Sequence, residues 1–373
     1  MNPPVNTIEP EVKVPTENPP KNRLTDILKK RIRNRYTLVH TQLFFSLLSK
    51  RKISFKKLFN ASLCHAAYWL KLKKSAPGPL MVSIELWNEC NINCMFCRDK
   101  KGKIYDQDAA GPGEPIMKGR MTYEMFTSII DQVKDHVLVA VLYTNGEPLM
   151  YKDLAKCVKY CTDRNVATIV ASNGTLMTEE KARELLAAGL DLIKIQLSGF
   201  TQDVYNVQVR NGDVEKIKEG IKIYNRLNRQ GDFGSILFVD YILYNYNRHQ
   251  LPLIRQFCDG LGLILNTRPG NPSHGLEDKE PKLNTEGLPL KVSCDWLWKA
   301  MQVNYNGDIL QCCEGVVFSG VKPYDRLNPG KTDLLGVWNG PAAINMRETL
   351  RDKGRGAIPI CRGCTRKGIS FKW

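Results

Sequence analysis

Residues 81–97 read MVSIELWNECNINCMFC. The first seven form a β-rich, largely apolar run, and the loop that closes it carries Cys90, Cys94 and Cys97. Five more β-rich runs follow, at 136–143 (HVLVAVLY), 166–172 (VATIVAS), 190–198 (LDLIKIQLS), 235–243 (SILFVDYIL) and 262–268 (GLILNTR). Helical patterns such as TEEKARELLAAG and VEKIKEGIKIYNRLNRQ lie between most of them. Six strands alternating with helices predict an α/β fold: a parallel sheet or a partial, TIM-like (β/α)6 barrel over 81–270, with its working face at the strand C-terminal ends. The cysteine loop stands at that face.

Working outward, residues 1–20 are Pro-rich and polar and read as a disordered tail. Residues 21–80 read as a basic helical extension, in which Leu58, Phe59, Leu63, Ala66, Ala67 and Leu70 recur near one helical face. SAPGPL at 75–80 is a turn-rich boundary. Beyond the barrel, 271–293 read as a Pro/Gly/Lys-rich linker and 294–373 as a small C-terminal domain, with a hairpin turn expected at Tyr305-Asn306-Gly307-Asp308.

The chain has 373 residues, 43 % apolar and 25 % charged, which excludes wholesale disorder and fibrous classes. No apolar run approaches the roughly 20 residues that a membrane-spanning helix needs. No basic start, apolar core or cleavage site marks a secretory signal, so a cytoplasmic chain is expected, at most peripheral at the inner face of the membrane. Net charge is +16, and residues 21–80 alone hold fifteen Lys or Arg against Asp26. That segment reads as a peripheral anchor for anionic lipid, as a docking arm for a phosphate-bearing substrate or RNA, or as a packed extension with a solvated basic side. No RNA-binding motif accompanies its aromatics, so no nucleic-acid partner is expected.

Twelve cysteines in a reducing compartment point to metal or redox chemistry rather than disulfides. Three thiolates as close as Cys90, Cys94 and Cys97 can hold three irons of a 4Fe–4S cubane and leave the fourth open. Zinc normally takes four ligands, and no fourth Cys or His is near in sequence. Cys157 and Cys161 have helical spacing but no third partner, and read as core.

The C-x3-C-x-aromatic-C pattern closing the first strand resembles the radical S-adenosylmethionine (SAM) superfamily, over roughly residues 81–270. Asn145-Gly146-Glu147-Pro148 resembles that family's Gly-Gly-Glu-Pro segment, with Asn145 in place of the first Gly; the segment's backbone is implied to bind the methionine amino group. Ser172-Asn173-Gly174-Thr175 resembles the segment near the ribose and carboxylate of SAM. Ser198 matches a position often polar toward the ligand, and Phe96, the aromatic of the cysteine motif, is grouped with the cofactor-binding residues. Arg210 either pairs with the SAM carboxylate or is solvated. Lys194, Gln196 and Ser198 share one strand face, which either lines a ligand-bearing lumen or meets solvent.

Cys294, Cys312, Cys361 and Cys364 resemble the auxiliary-cluster extension of the same superfamily, called SPASM in its long form and Twitch in its short form. Four thiolates suffice for one auxiliary 4Fe–4S cluster, and the same four would also make a zinc site. Cys313, next to a ligand, reads as an alternate ligand, as a catalytic thiol that returns a hydrogen atom to substrate, or as a buried small side chain. The resemblance implies reductive cleavage of SAM to a 5′-deoxyadenosyl radical that abstracts hydrogen from a substrate C–H bond, with electrons from a flavodoxin- or ferredoxin-type donor. A sugar, alcohol or lipid-linked glycan precursor is the expected substrate, oxidised or epimerised. A peptide maturase is the alternative, weakened because 21–80 lacks the strand signals of a peptide-recognition domain. A non-enzymatic iron–sulfur protein would need no SAM pocket.

Overall fold

The architecture comes from a computed structural model that describes residues 35–94, 97, 118–269, 294–316, 322–362 and 364. The expected tail 1–20, the linker 271–293 and Phe96 lie outside the described residues. Two helices come first, α1 (Arg35–Ser49) and α2 (Phe55–Trp69). They are followed by β1 (Met81–Ile84), β2 (Asn93–Cys94), α3 (Tyr123–Val133), β3 (Val139–Val141), α4 (Leu154–Thr162), β4 (Ala167–Ser172), α5 (Glu179–Ala187) and β5 (Leu192–Leu197). Next come α6 (Gln202–Gln208), β6 (Val209–Arg210), α7 (Val214–Gln230), β7 (Ile236–Leu243), α8 (Leu251–Gly260) and β8 (Ile264–Pro269). The C-terminal region holds α9 (Trp296–Lys299), β9 (Ala300–Val303), β10 (Asp308–Leu310), β11 (Asp325–Arg326), α10 (Leu334–Trp338), α11 (Pro341–Asp352) and α12 (Pro359–Arg362). Several helices start at side-chain caps: Thr122 accepts from Met125 N, Thr178 from Lys181 N, and Asp213 from Glu215 N and Lys216 N.

Each of the six β-rich runs contributes one strand to a parallel series in the order β1-β3-β4-β5-β7-β8. The series does not close on itself, so the barrel is partial. The expected hairpin forms as β9–β10, with Gly307 at φ +87° in its turn, a conformation that favours glycine. Its first strand lies parallel to the free edge of β1, Met81 opposite Ala300, so the C-terminal region continues the sheet of the core. Strand register between segments so distant is invisible in a pattern of alternation.

One face of the sheet packs under α3–α8 in the largest core, which includes Ile84, Val170, Ile193, Ile195, Val239, Phe126, Val158 and Ile221. The expected core cysteines Cys157 and Cys161 are fully buried there. On the inner face Met81, Val139, Ile169, Leu192 and Phe238 meet Val39, Leu43 and Leu47 of α1 and Ala61 and Cys64 of α2. These strand residues lie mostly toward the strand N-terminal ends, so the two helices form a dry floor there. Asp191, fully buried just ahead of β5, locks them on: it accepts from Lys52 Nζ at 2.6 Å, from Lys50 Nζ at 3.4 Å and from Thr168 N at 2.9 Å.

Part of the basic extension is thus packed, and α2 turns its larger apolar groups outward. Its buried positions are Lys57, Asn60, Ala61, Cys64 and Ala67, while Leu58, Phe59, Ala66 and Leu70 face outward. Polar anchors set that rotation. Asn60 Nδ2 donates to Gly78 O at 3.0 Å, its Oδ1 accepts from Gly78 N at 3.2 Å, and Lys57 Nζ donates to Asn165 O. Among the described residues no helix is long and apolar enough to cross a membrane.

Candidate functional site at the strand C-terminal ends

The loop leaving β1 and the turns after β3 and β4 are sewn together. Glu147 is the knot. Its Oε1 accepts from Ser172 Oγ at 2.7 Å and Leu149 N at 2.9 Å, and its Oε2 from Asn173 N at 2.7 Å. Burial pushes its carboxyl up even against these three bonds. The Glu147 side chain therefore works inside the protein, and what the Asn145–Pro148 segment offers outward is backbone. Gly146 is required by contact rather than by conformation: a Cβ there would stand 2.0 Å from Trp87 O and 2.8 Å from Glu89 O. Glu147 N donates to Glu89 O at 2.8 Å, and Asn145 Nδ2 donates to the buried Glu85 Oε1 at 3.1 Å.

Asn173 reaches the cysteine loop directly. Its Nδ2 donates to Asn91 Oδ1 at 3.0 Å and lies 3.6 Å from Cys90 Sγ, and Asn91 Nδ2 in turn donates to Thr175 Oγ1 at 2.8 Å. Cys97 N donates to Cys94 O at 2.9 Å, and Cys94 lies on β2, which pairs antiparallel with β6. That pairing sets Asn93 opposite Arg210, whose Nη1 is buried with no hydrogen-bond partner. Ser198 is buried, and its carbonyl accepts from Asn247 Nδ2 at 2.9 Å.

Above the dry floor the inner face turns polar. The register aligns Gln196 with Asp240 and Asp240 with Asn266 across β5, β7 and β8. Asp240 is fully buried and accepts from Arg268 Nε at 3.1 Å and from Asn266 Nδ2, with Lys194 Nζ at 3.8 Å. Burial alone would raise its carboxyl; Lys194 and Arg268 outweigh that and hold it below the usual range. Lys194 is only 18 % exposed and lies 5.2 Å from the Tyr143 ring centre, so it does not face open solvent. Gln302, fully buried on β9, has an Oε1 with no partner. Asp240 had a signal in the sequence, a lone charge inside SILFVDYIL; Gln302 had none.

The C-terminal cysteines share one neighbourhood. Burial raises the Cys312 thiol well above its ordinary value, and the charges of Cys313, Cys294 and Cys361 add to the rise. Burial raises Cys361 to about 12, with Cys294 and Cys364 contributing, and raises Cys294 to about 11. Arg355, buried beside them, opposes both of these shifts and donates from Nη1 to Cys364 O at 3.0 Å. Sequence reading did not single it out. Cys294 and Cys312 pack against both the inner-face core and the cluster of Trp298 and Leu350; Cys313 joins them at the first and Cys361 at the second. Among the described residues no three His, Cys, Asp or Glu groups stand close enough to grip a single metal ion. A cubane, larger than an ion, takes thiolates standing further apart.

Residues 84–257 match the profile of the radical SAM superfamily, and residues 294–365 match SPASM, an iron–sulfur cluster-binding domain. The chain thus carries a radical SAM domain followed by a C-terminal SPASM domain. It is 27 % identical over 157 residues to the AdoMet-dependent heme synthase of Methanosarcina barkeri, covering 42 % of this chain and 41 % of that protein. It is 25 % identical over 182 residues to a probable GTP 3′,8-cyclase of Methanocaldococcus jannaschii, covering 49 % and 56 %. The chain thus spans about half the length of these relatives. Among solved structures, Streptococcus suis SuiB bound to precursor peptide SuiA superposes with a TM-score of 0.57 at 17 % identity, covering 78 % of this chain and 73 % of that one, a likeness of fold.

These domains imply SAM and 4Fe–4S clusters, including an auxiliary cluster. The residues present fit such groups. Thiols gather at both places, the buried Arg210 Nη1 lacks an acceptor beside the first, and the Arg355 guanidinium suits the negative charge of a thiolate-ligated cluster at the second.

Proposed function

We propose that Cys90, Cys94 and Cys97 hold the core cluster and that the surrounding turns bind SAM, for hydrogen abstraction from a polyhydroxylated substrate: a sugar, an alcohol or a lipid-linked glycan precursor. The Asn145–Pro148 backbone would take the methionine amino group, Arg210 its carboxylate, and Ser172, Asn173, Ser198 and Phe96 the remainder of the nucleotide. Bound there with its reduced cluster, SAM supplies a carbon radical able to remove hydrogen from an unactivated C–H bond. The division into a 21–80 extension, an 81–270 core and a 294–373 cluster domain is part of the same proposal.

The observation that carries the substrate class is the polar ring of Lys194, Gln196, Asp240, Asn266, Arg268 and Gln302 on the inner face. These groups offer donors and acceptors at successive levels of the inner face, which hydroxyl groups satisfy and an apolar peptide side chain does not. The dry floor beneath excludes water from the inner end. Cys294, Cys312, Cys361 and Cys364 would hold one auxiliary cluster. Cys313 would serve as the thiol that returns a hydrogen atom from its Sγ to the substrate radical. An external one-electron donor completes the requirement.

The test is isotopic. Iron-reconstituted protein is incubated without oxygen with SAM, a reductant and deuterium-labelled substrates. Deuterium is expected in 5′-deoxyadenosine from labelled sugars or sugar nucleotides. Transfer from labelled peptides alone would replace this reading with the peptide-maturase one.

A further inference from the structure

Among the described residues, nine of the twelve exposed large apolar side chains fall between Leu38 and Leu72, so the patch is local to one part of the molecule. On α2 they form a line: Phe55 (84 % exposed), Leu58, Phe59, Trp69 (75 %) and Leu70 recur at helical spacings on the side facing away from the floor. Phe55 and Phe59 stack on each other, ring centres 6.4 Å apart, rather than on anything beneath. The helix thus buries Lys57, Asn60 and small residues and turns its largest apolar groups outward. Aromatic groups this exposed and this clustered mark an interaction surface.

Charge decides the partner. Residues 35–74 hold nine Lys or Arg and no Asp or Glu. Lys52 and Lys57 are buried, while Arg51, Lys73 and Lys74 are exposed; Lys56 is exposed too but pairs with Asp135 at 3.0 Å. A second copy of the same surface would repel it. A convex stripe of Phe, Trp and Leu edged by cations matches a fluid surface of acyl chains and anionic headgroups, which needs no preformed groove. We propose that the outer faces of α2 and the Lys71–Lys74 segment dock this enzyme on anionic membrane, with the apolar line in the acyl boundary and the cations at headgroup level. Docked this way, the strand C-terminal ends, on the other side of the floor, stay open to the aqueous side.

The experiment is co-sedimentation of the full chain with vesicles of phosphatidylcholine alone and with vesicles containing phosphatidylglycerol. The chain is expected to pellet with the anionic vesicles, less so as salt rises, and weakly with phosphatidylcholine. Phe55→Ser/Trp69→Ser should lower binding about tenfold or more at unchanged thermal stability and iron content. Lys73→Gln/Lys74→Gln should weaken binding and flatten its salt dependence. A native chain that stays in the supernatant, or a Phe55→Ser/Trp69→Ser variant that binds equally well, overturns the proposal. So does a dimer in gel filtration that this variant dissociates, since the face would then belong to a second copy.

Discussion

At the strand N-terminal ends the inner face of the sheet carries Met81, Val139, Leu192 and Phe238 against the helices α1 and α2; further along the same strands that face carries Lys194, Gln196, Asp240, Asn266 and Arg268. The alternation rule treats both stretches alike, since residues two apart share a face. What differs is what stands opposite. The lower stretch is capped by an apolar helix face and must be dry, whereas the upper one is left to hydrogen-bond with its neighbours and with whatever enters. On the proposed function the two ends also divide the labour, the floor giving stability and the rim receiving substrate.

Five substitutions test that division. The largest effect is expected at the rim: Cys94→Ala should abolish 5′-deoxyadenosine formation, measured by chromatography, while thermal unfolding of the cluster-free chain stays near that of the native sequence. A collapse of stability would mean that the cysteine loop is structural. At the floor, Lys52→Ala leaves Asp191 buried beside the more exposed Lys50, and should cost about 3–5 kcal/mol in urea unfolding. Lys50→Ala should cost no more than about 1 kcal/mol. Equal effects would show that the floor is not locked through Lys52.

Arg210→Gln should raise the KM for SAM about tenfold or more, with far less change in stability, because a charge-assisted bond to a carboxylate is lost. An unchanged KM would free Arg210 from that role. The smallest effect concerns His40 on α1, which burial lowers from 6.5 to about 4. Its neutral form is the one that packs, so its contribution is full above pH 6.5 and is lost as pH falls toward 4. Between pH 7.5 and 5 the loss should be about 2 kcal/mol, absent in His40→Phe. The same pH slope in both chains would place the sensitivity elsewhere.

Much of this was legible in the residues. The six β-rich runs became the six parallel strands, and VEKIKEGIKIYNRLNRQ became α7 residue for residue, because long periodic segments carry their own signal. The cysteine loop and the turns at Asn145–Pro148 and Ser172–Thr175 do meet, as their positions after successive strands implied. The inward role of the Glu147 carboxylate was not legible, nor was the outward turn of α2. Both depend on partners far away in sequence, Ser172 and Asn173 for the one, Gly78 and Asn165 for the other.

The residue string determined the alternation of strands and helices and the grouping of the thiols into a tight triplet and a C-terminal set, since spacing and periodicity are local properties. Tertiary structure decided the rest: β9 joining the edge of β1, Asp240 shared between Lys194 and Arg268, and the apolar line of α2 left uncovered. The reason is physical. Register, ion pairing and helix rotation are set by which surfaces exclude water together, and that is a property of the assembled chain rather than of any segment.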